Sequence, residues 1–276
     1  MNTLYVSDLD GTLLDDNQAI SMEALEILNH LIEQGMKFTI ATARSIESAR
    51  EILQGLKINL PLVLINGVFI YDYESNRNVK SNYLSGYAGA RIIQTYLELG
   101  LNPLVYTTDC NGNSIIHYKG VFNQSEDNYI GSRLSKGDKR FRLVENYEAC
   151  MDENIITINA IDTPAKLNAA YKEYIENIEC VCHFGPDIYT PGFHWLEIAN
   201  CHATKKQAVL YLKEKYHFDR LVCFGDNLND LPMFEAADEK YAVSNAHEMI
   251  RNVADKVIDS NLNNGVPKYL SSVFGL

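Results

Sequence analysis

Thr3-Leu4-Tyr5-Val6-Ser7-Asp8-Leu9-Asp10-Gly11-Thr12-Leu13-Leu14 is the stretch on which the reading of this chain turns. Residues 3–7 form a short apolar run that ends on polar side chains, the profile of a strand whose carboxyl end is exposed to chemistry. Outward from it, Leu25, Leu28, Leu31 and Ile32 recur at helical spacing, with Ser21 placed to cap the helix and Gly35 to stop it. Residues 36–41 read as a second strand, 45–54 as a helix closed by Gly55, and 60–65 as a third strand, continuous and apolar as buried parallel strands are. The order βαβαβ predicts a parallel sheet with right-handed crossovers.

The rhythm changes after about residue 73. Helical patterns at 86–99 and 164–177 then alternate with strand patterns at 104–107, 114–118, 155–160 and 179–184. Asp109-Cys110-Asn111-Gly112-Asn113 reads as a hairpin turn. The βα rhythm returns with a helix at 205–216, a strand at 220–224, a helix at 228–237 and a strand at 240–244. The expectation is one α/β core made from both ends of the chain, residues 1–82 and 189–276, interrupted by an inserted α+β domain at 83–188.

The whole is 276 residues with 46% hydrophobic side chains, enough for a sizeable core. Lys plus Arg total 24 against 36 Asp plus Glu, a formal charge of -12. That sign disfavours nucleic acid and anionic membranes as partners. The first residues lack the basic, apolar profile of a signal peptide, and no apolar run is long enough to span a bilayer. The six cysteines include no C-x-x-C pair. These features predict a reduced, cytoplasmic protein.

In an open parallel sheet, ligands bind outside the carboxyl ends of the strands. Those ends carry Asp8-Leu9-Asp10-Gly11-Thr12, Thr42-Ala43-Arg44, Asn66-Gly67 and Gly225-Asp226-Asn227-Leu228-Asn229-Asp230. Asp8 and Asp10 lie two apart, so an extended backbone turns both side chains the same way, and Gly11 permits a sharp bend. With Asp226 arriving from another strand, each like-charge pair ~4 Å apart costs about 4 kcal/mol at an effective dielectric of about 20. Such a cluster needs a cation or takes up protons. The donors are oxygens and no histidine is near in sequence, which points to Mg²⁺ rather than Zn²⁺. Mg²⁺ shares its ligand sphere with phosphates, so phosphoryl transfer is the natural chemistry, with Asp8 as nucleophile and Asp10 as acid and base. Thr42 offers a hydroxyl. Lys205, at a helix start where a cation opposes the dipole, becomes favourable beside a phosphate. Against this, Thr42 also reads as an ordinary strand residue, Lys205 as a solvated lysine and Asn66-Gly67 as a turn. A calcium loop starting at Asp8 fails, because Leu13 and Ala19 stand where Gly and Glu are required.

The four strand-end motifs, in this order, resemble those of the haloacid dehalogenase superfamily of phosphatases, and its Cof-like branch in particular. They are Asp8 to Leu14, Thr42 within Ala41-Thr42-Ala43-Arg44, Lys205 within Thr204-Lys205-Lys206, and Gly225 to Asp230; Asn66-Gly67 and Asn245-Ala246 extend the match. The resemblance implies a Rossmann-like parallel-sheet core with a large inserted cap. It implies Mg²⁺ held by Asp8, the Asp10 carbonyl and Asp226, with Asn229 and Asp230 in support. It also implies a phosphate and substrate set of Gly11, Thr42, Ala43, Arg44, Asn66, Lys205 and Asn229, and small phosphorylated metabolites, sugar phosphates above all, as substrates. Ala43 and Lys206 stand where the family usually has Gly. A phosphotransferase or mutase on the same scaffold, or a signalling module phosphorylated on Asp8, are the alternatives. In the insert, Arg133, Lys136, Lys139, Arg140 and Arg142 form a basic stretch, and His194 and Trp195 lie near its end; each reads either as substrate contact or as surface and packing residues.

Overall fold

The computed structural model describes residues 2–187 and 189–275. Its strands in chain order are β1 (Thr3–Ser7), β2 (Lys37–Ile40), β3 (Leu62–Leu64), β4 (Phe69–Asp72), β5 (Arg77–Ser81), β6 (Leu104–Thr108) and β7 (Ser114–Tyr118). They continue with β8 (Phe141–Leu143), β9 (Asn154–Asp162), β10 (Cys180–Pro186), β11 (His194–Asn200), β12 (Arg220–Gly225), β13 (Glu239–Val243) and β14 (Lys256–Ile258). The chain divides into two compact units, Met1–Ser81 with Ala203–Leu276, and Asn82–His202.

The first unit is built on a five-stranded sheet in the order β14-β13-β12-β1-β2, with every pairing parallel. The strand order reverses at β1, which has β12 on one side and β2 on the other. That junction is the position at which open α/β sheets bind ligands. The helix Met22–Glu33 forms as expected. Ser21 Oγ accepts the Ala24 N–H at 3.1 Å, and Ala24, Leu28, Leu31 and Ile32 are its buried stripe. Each such fully buried Leu or Ile contributes about 1.5–3 kcal/mol.

The third expected strand is shorter than its apolar run, and it joins the main sheet through a single bridge, Ala41 to Val63. It forms instead an antiparallel sheet with the hairpin β4–β5. The expected helix over 45–54 is regular only across Ile46–Ala49 and continues as turns, with Ser45 making no side-chain cap bond. The expected helix over 228–237 is split. A 3₁₀ turn at Leu228–Asp230, held by a capping box between Asn227 and Asp230, precedes Leu231–Ala236.

The second unit carries a six-stranded sheet in the order β10-β11-β9-β6-β7-β8, antiparallel except for β7 with β8. The helices Gly86–Glu98 and Pro164–Tyr174 pack on this sheet through Ile92, Tyr96, Leu167, Ala170, Leu196 and Ile198. A second cluster gathers Leu104, Ile116, Ile130, Phe141 and Ile161, with Tyr129 and Trp195 against it. The hairpin at 109–113 forms, and Asp109 Oδ1 accepts the N–H groups of Asn111 and Asn113 at 2.8 and 2.9 Å.

One boundary differs from the sequence reading. The expected insert ended at 188, and Ile188 itself lies outside the described residues. Residues 194–200, assigned to the returning core, are β11, hydrogen-bonded between β10 and β9, so the unit runs on to His202. The alternation of His194-Trp195-Leu196-Glu197-Ile198 is as good a strand signal as any in the core. What it lacks is anything naming its partner strand.

Candidate active site

β1 and β12 run in register from Thr3 opposite Arg220 to Ser7 opposite Phe224. The ladder ends where the Asp8 N–H donates to the Phe224 carbonyl at 3.0 Å. That register sets Asp8 and the Gly225–Asp226 segment side by side at one edge of the sheet. Carboxylate oxygens of Asp8, Asp226 and Asp230 lie within 4.8 Å of one another.

Lys205 binds two members of this cluster. Its Nζ donates to Asp8 Oδ1 at 2.5 Å and to Asp230 Oδ1 at 2.6 Å, and its side chain has no exposed surface. Burial pushes the ammonium toward its neutral form, yet Asp230 and Asp8 together hold it above the usual lysine range. The electrostatic cost of a cation at a helix start is therefore met by two protein carboxylates.

Asp230 is completely buried and fully engaged: its Oδ2 accepts the N–H groups of Asp226 and Asn227 at 2.9 and 3.1 Å. Gly225 makes this possible, since a Cβ there would lie 2.6 Å from Asp230 Oδ2. Thr12 Oγ1 donates to Asp226 Oδ1 at 2.9 Å. Gly11, at φ +77°, has the backbone conformation that favours glycine, and a side chain there would collide with Asp226.

These bonds leave Asp8 Oδ2 and Asp226 Oδ2 without a protein donor among the described residues. Burial, and then the charges of Asp230 and Asp226 against that of Lys205, raises the Asp8 carboxyl well above the carboxylate range. Burial and Asp230 push Asp226 up to about 7. Three carboxylates against one ammonium, with spare oxygens on two of them and no nitrogen or sulfur donor in the set, fit a hard divalent cation such as Mg²⁺.

The remaining expected residues flank this cluster. Thr42 is fully buried; its N–H donates to the Val63 carbonyl and its Oγ1 accepts the Arg44 N–H at 3.1 Å, so the hydroxyl proton is left for another acceptor. Ile65, Asn66 and Gly67 all have positive φ (48°, 51° and 106°), and the Ile65 and Asn66 N–H groups donate to the Arg44 and Thr42 carbonyls. A β-branched residue in this region is strained by about 1–3 kcal/mol. The turn brings the Asn66 carboxamide to Asn229, whose Nδ2 donates to Asn66 Oδ1 at 3.3 Å.

Asp10 stands apart. Its carboxylate is half exposed, is held by Arg44, and is not in the Asp8–Asp226–Asp230 group; Ala43 contributes only the link between Thr42 and Arg44. Asn245, noted in the sequence only as an extension of the motif set, donates from Nδ2 to the Gly11 carbonyl at 2.7 Å and so braces the loop.

In the inserted unit, Tyr129 meets Trp195 edge-on at 4.8 Å and Tyr106 Oη at 2.8 Å. Glu197, two residues from Trp195 and on the same strand face, has its carboxyl pushed up to about 7 by burial. No hydrogen bond reaches it among the described residues. The sequence reading missed Glu197; its one signal is an acid at a strand position whose neighbours two away, Trp195 and Ala199, are apolar. Of the basic stretch, Arg140 is forked onto Asp138 and Arg133 lies over the Tyr129 ring, so at least these two have protein partners. The His194 ring lies 5.4 Å from Phe184.

A parallel sheet that gathers buried carboxylates and a lysine at its carboxyl edge defines an α/β protein with an acidic cluster at the strand-order reversal of its sheet. The chain belongs to the haloacid dehalogenase-like hydrolase family, whose model matches residues 5–270. It is 25% identical to a 5-amino-6-(5-phospho-D-ribitylamino)uracil phosphatase of Bacillus subtilis, covering 96% of each chain. It is 22% identical to a pyridoxal phosphate phosphatase of Escherichia coli, again over 96% of both. A haloacid dehalogenase-like hydrolase from B. subtilis superposes with a TM-score of 0.81 at 22% identity, over 98% of this chain and 99% of that one. At that identity the superposition establishes the fold. No helix among the described residues is long and apolar enough to cross a membrane.

Proposed function

We propose that this protein is a Mg²⁺-dependent phosphatase that hydrolyses small phosphorylated metabolites through an aspartyl-phosphate on Asp8. The observation that carries the reading is the Asp8 carboxylate, with one oxygen fixed on Lys205 and the other free within a buried cluster of like charge. The two relatives named as phosphatases of small phosphorylated compounds support the substrate class. The six free cysteines support a reducing compartment.

Asp8, the Asp10 carbonyl and Asp226 would hold Mg²⁺, with Asn229 and Asp230 behind them, and the ion would offset charge on the transferring phosphoryl group. Asp8 Oδ2 attacks phosphorus and the bond to the leaving oxygen breaks. Asp10, as the acid, gives its proton to that oxygen and the alcohol departs. Water then attacks the aspartyl-phosphate, its proton passes to the Asp10 carboxylate, and inorganic phosphate leaves with Asp8 restored. Lys205 keeps Asp8 oriented and, with the Thr42 hydroxyl, offers donors to the phosphoryl oxygens. Asn66 and Asn229 line the same edge.

Phosphate release from a panel of phosphorylated metabolites, with and without Mg²⁺, tests the reading. Wild type should release phosphate in the presence of Mg²⁺, and Asp8→Asn should lower turnover at least about 10³-fold with its thermal melt intact. Near-normal turnover by Asp8→Asn removes the nucleophile from the reading. Transfer of phosphate to an added sugar in preference to water makes the protein a phosphotransferase instead.

A further inference from the structure

Arg44 grips Asp10 at two points. Its Nε donates to Asp10 Oδ2 at 2.7 Å and its Nη2 to Oδ1 at 2.5 Å. Nη2 also donates to Gln18 Oε1 at 3.0 Å, and the Arg44 backbone is pinned at both ends, its N–H on Thr42 Oγ1 and its carbonyl on the Ile65 N–H. The Arg44 side chain is 18% exposed against 49% for Asp10. The donor is therefore the anchored partner and the carboxylate the one with room to turn.

A guanidinium fork occupies both carboxylate oxygens with a group that keeps its protons. So held, Asp10 offers neither a proton to a leaving group nor a free oxygen to an attacking water. It is also turned out of the cluster that Asp8, Asp226 and Asp230 form, although it lies only two residues from Asp8.

We propose that Arg44 is a positioning residue that parks Asp10 between turnovers, and that Asp10 enters the reaction by exchanging this fork for the substrate's leaving group. The proposal rests on the phosphatase reading above and adds to it a resting arrangement for the acid/base. Removing the fork takes away the fixed starting geometry from which Asp10 exchanges onto the leaving oxygen; its carboxylate spreads among rotamers, and the fraction that reaches that oxygen falls. Misplacement of this kind costs roughly 10- to 100-fold in rate.

A double-mutant cycle separates this role from simple support of the loop. Arg44→Gln, Asp10→Asn and the double variant are compared on an alkyl phosphate, which needs its leaving oxygen protonated, and on p-nitrophenyl phosphate, which does not. Arg44→Gln should lower kcat on the alkyl phosphate by roughly 10- to 100-fold with KM changed by less than about threefold. On p-nitrophenyl phosphate the initial burst of p-nitrophenolate should persist while steady-state turnover falls. In the Asp10→Asn background, Arg44→Gln should add nothing.

If the two losses multiply, or Arg44→Gln leaves the alkyl phosphate rate intact, the proposal is wrong. Arg44→Lys keeps the charge without the fork and runs through the same cycle if Arg44→Gln does not fold. Full activity of Asp10→Asn alone would instead overturn the acid/base assignment, which is a distinct failure.

Discussion

The two units of this chain treat buried charge in opposite ways. In the core, Lys205 lies wholly inside between Asp8 and Asp230, and Asp230 spends its second oxygen on two backbone N–H groups. In the insert, Glu197 is largely buried on β11 with no donor to satisfy it, and its carboxyl shifts up to about 7. A charge that is paired stays charged when buried, whereas one that is not paired tends toward its neutral form. The core thus keeps Lys205 in its charged form while the crowding of like charge and burial raise Asp8 and Asp226, whereas the insert carries a lone acid raised by burial alone.

Breaking the pairing is the most severe test of this contrast. Lys205→Met keeps the apolar stem and removes the charge, leaving Asp8 and Asp230 buried without their cation. Loss of one partner of a buried pair costs about 3–5 kcal/mol, so urea unfolding should show a loss of that size at pH 8. The loss should shrink at pH 5, where Asp8, already raised by burial and freed of the Lys205 charge that lowers it, takes up a proton. In Lys205→Met/Asp230→Asn, part of the stability should return; a double variant no more stable than the single one would mean that Lys205 contributes by packing alone.

A smaller effect is expected at Asp226. Its folded-state pKa, about 7, is raised above the model-peptide value of 3.8, so its ionisation disfavours the native state. The native form binds the proton more tightly, and stability attributable to this group falls as pH rises from about 4 through 7. Asp226→Asn should therefore gain on wild type by on the order of 1–2 kcal/mol between pH 5 and pH 8 without divalent ions. Mg²⁺ should stabilise wild type at pH 8 and leave Asp226→Asn nearly unmoved. A wild type whose melting temperature ignores Mg²⁺ at pH 8 argues against ion binding at this cluster.

The contrast also accounts for what could be read from the sequence. Strand ends of a parallel sheet are marked by chemistry that survives in one dimension: Asp8-x-Asp10-Gly11, Gly225-Asp226 and the capping pair Asn227 and Asp230 each have local reasons to be where they are. Their convergence follows from β1 lying next to β12, which the βα rhythm implies. Lys205 was legible as a residue but not as a buried one, because its burial depends on two carboxylates from distant points of the chain, one just after β1 and one in the 3₁₀ turn after β12. The grip of Arg44 on Asp10 was hidden for the same reason: it joins side chains 34 positions apart. The helix after Ser45 proved shorter because propensity alone set its expected length, and the β4–β5 hairpin was not read at all. In the insert, β11 was assigned to the wrong unit, since an antiparallel partner across a hairpin leaves no motif behind.

Glu197 gives the finest test, because its environment is apolar rather than ionic. Burial alone raises its pKa to about 7 from 4.5, so its charged form is the disfavoured one. As with Asp226, the sign is that stability attributable to the group is intact at low pH and declines as pH climbs through 7. Glu197→Gln keeps the shape and removes the ionisation, so it should match wild type near pH 5. It should exceed wild type by at most about 1 kcal/mol at pH 8, the bulk of the shift being discounted for partial solvent access. Asp226 titrates in the same range, so the comparison is made with Mg²⁺ present to hold that site constant. Direct titration of the Glu197 side-chain carboxyl by NMR reads the same quantity without unfolding. A midpoint in the ordinary glutamate range would show that water or a partner reaches the carboxylate, and would erase the difference between the two units on which the contrast rests.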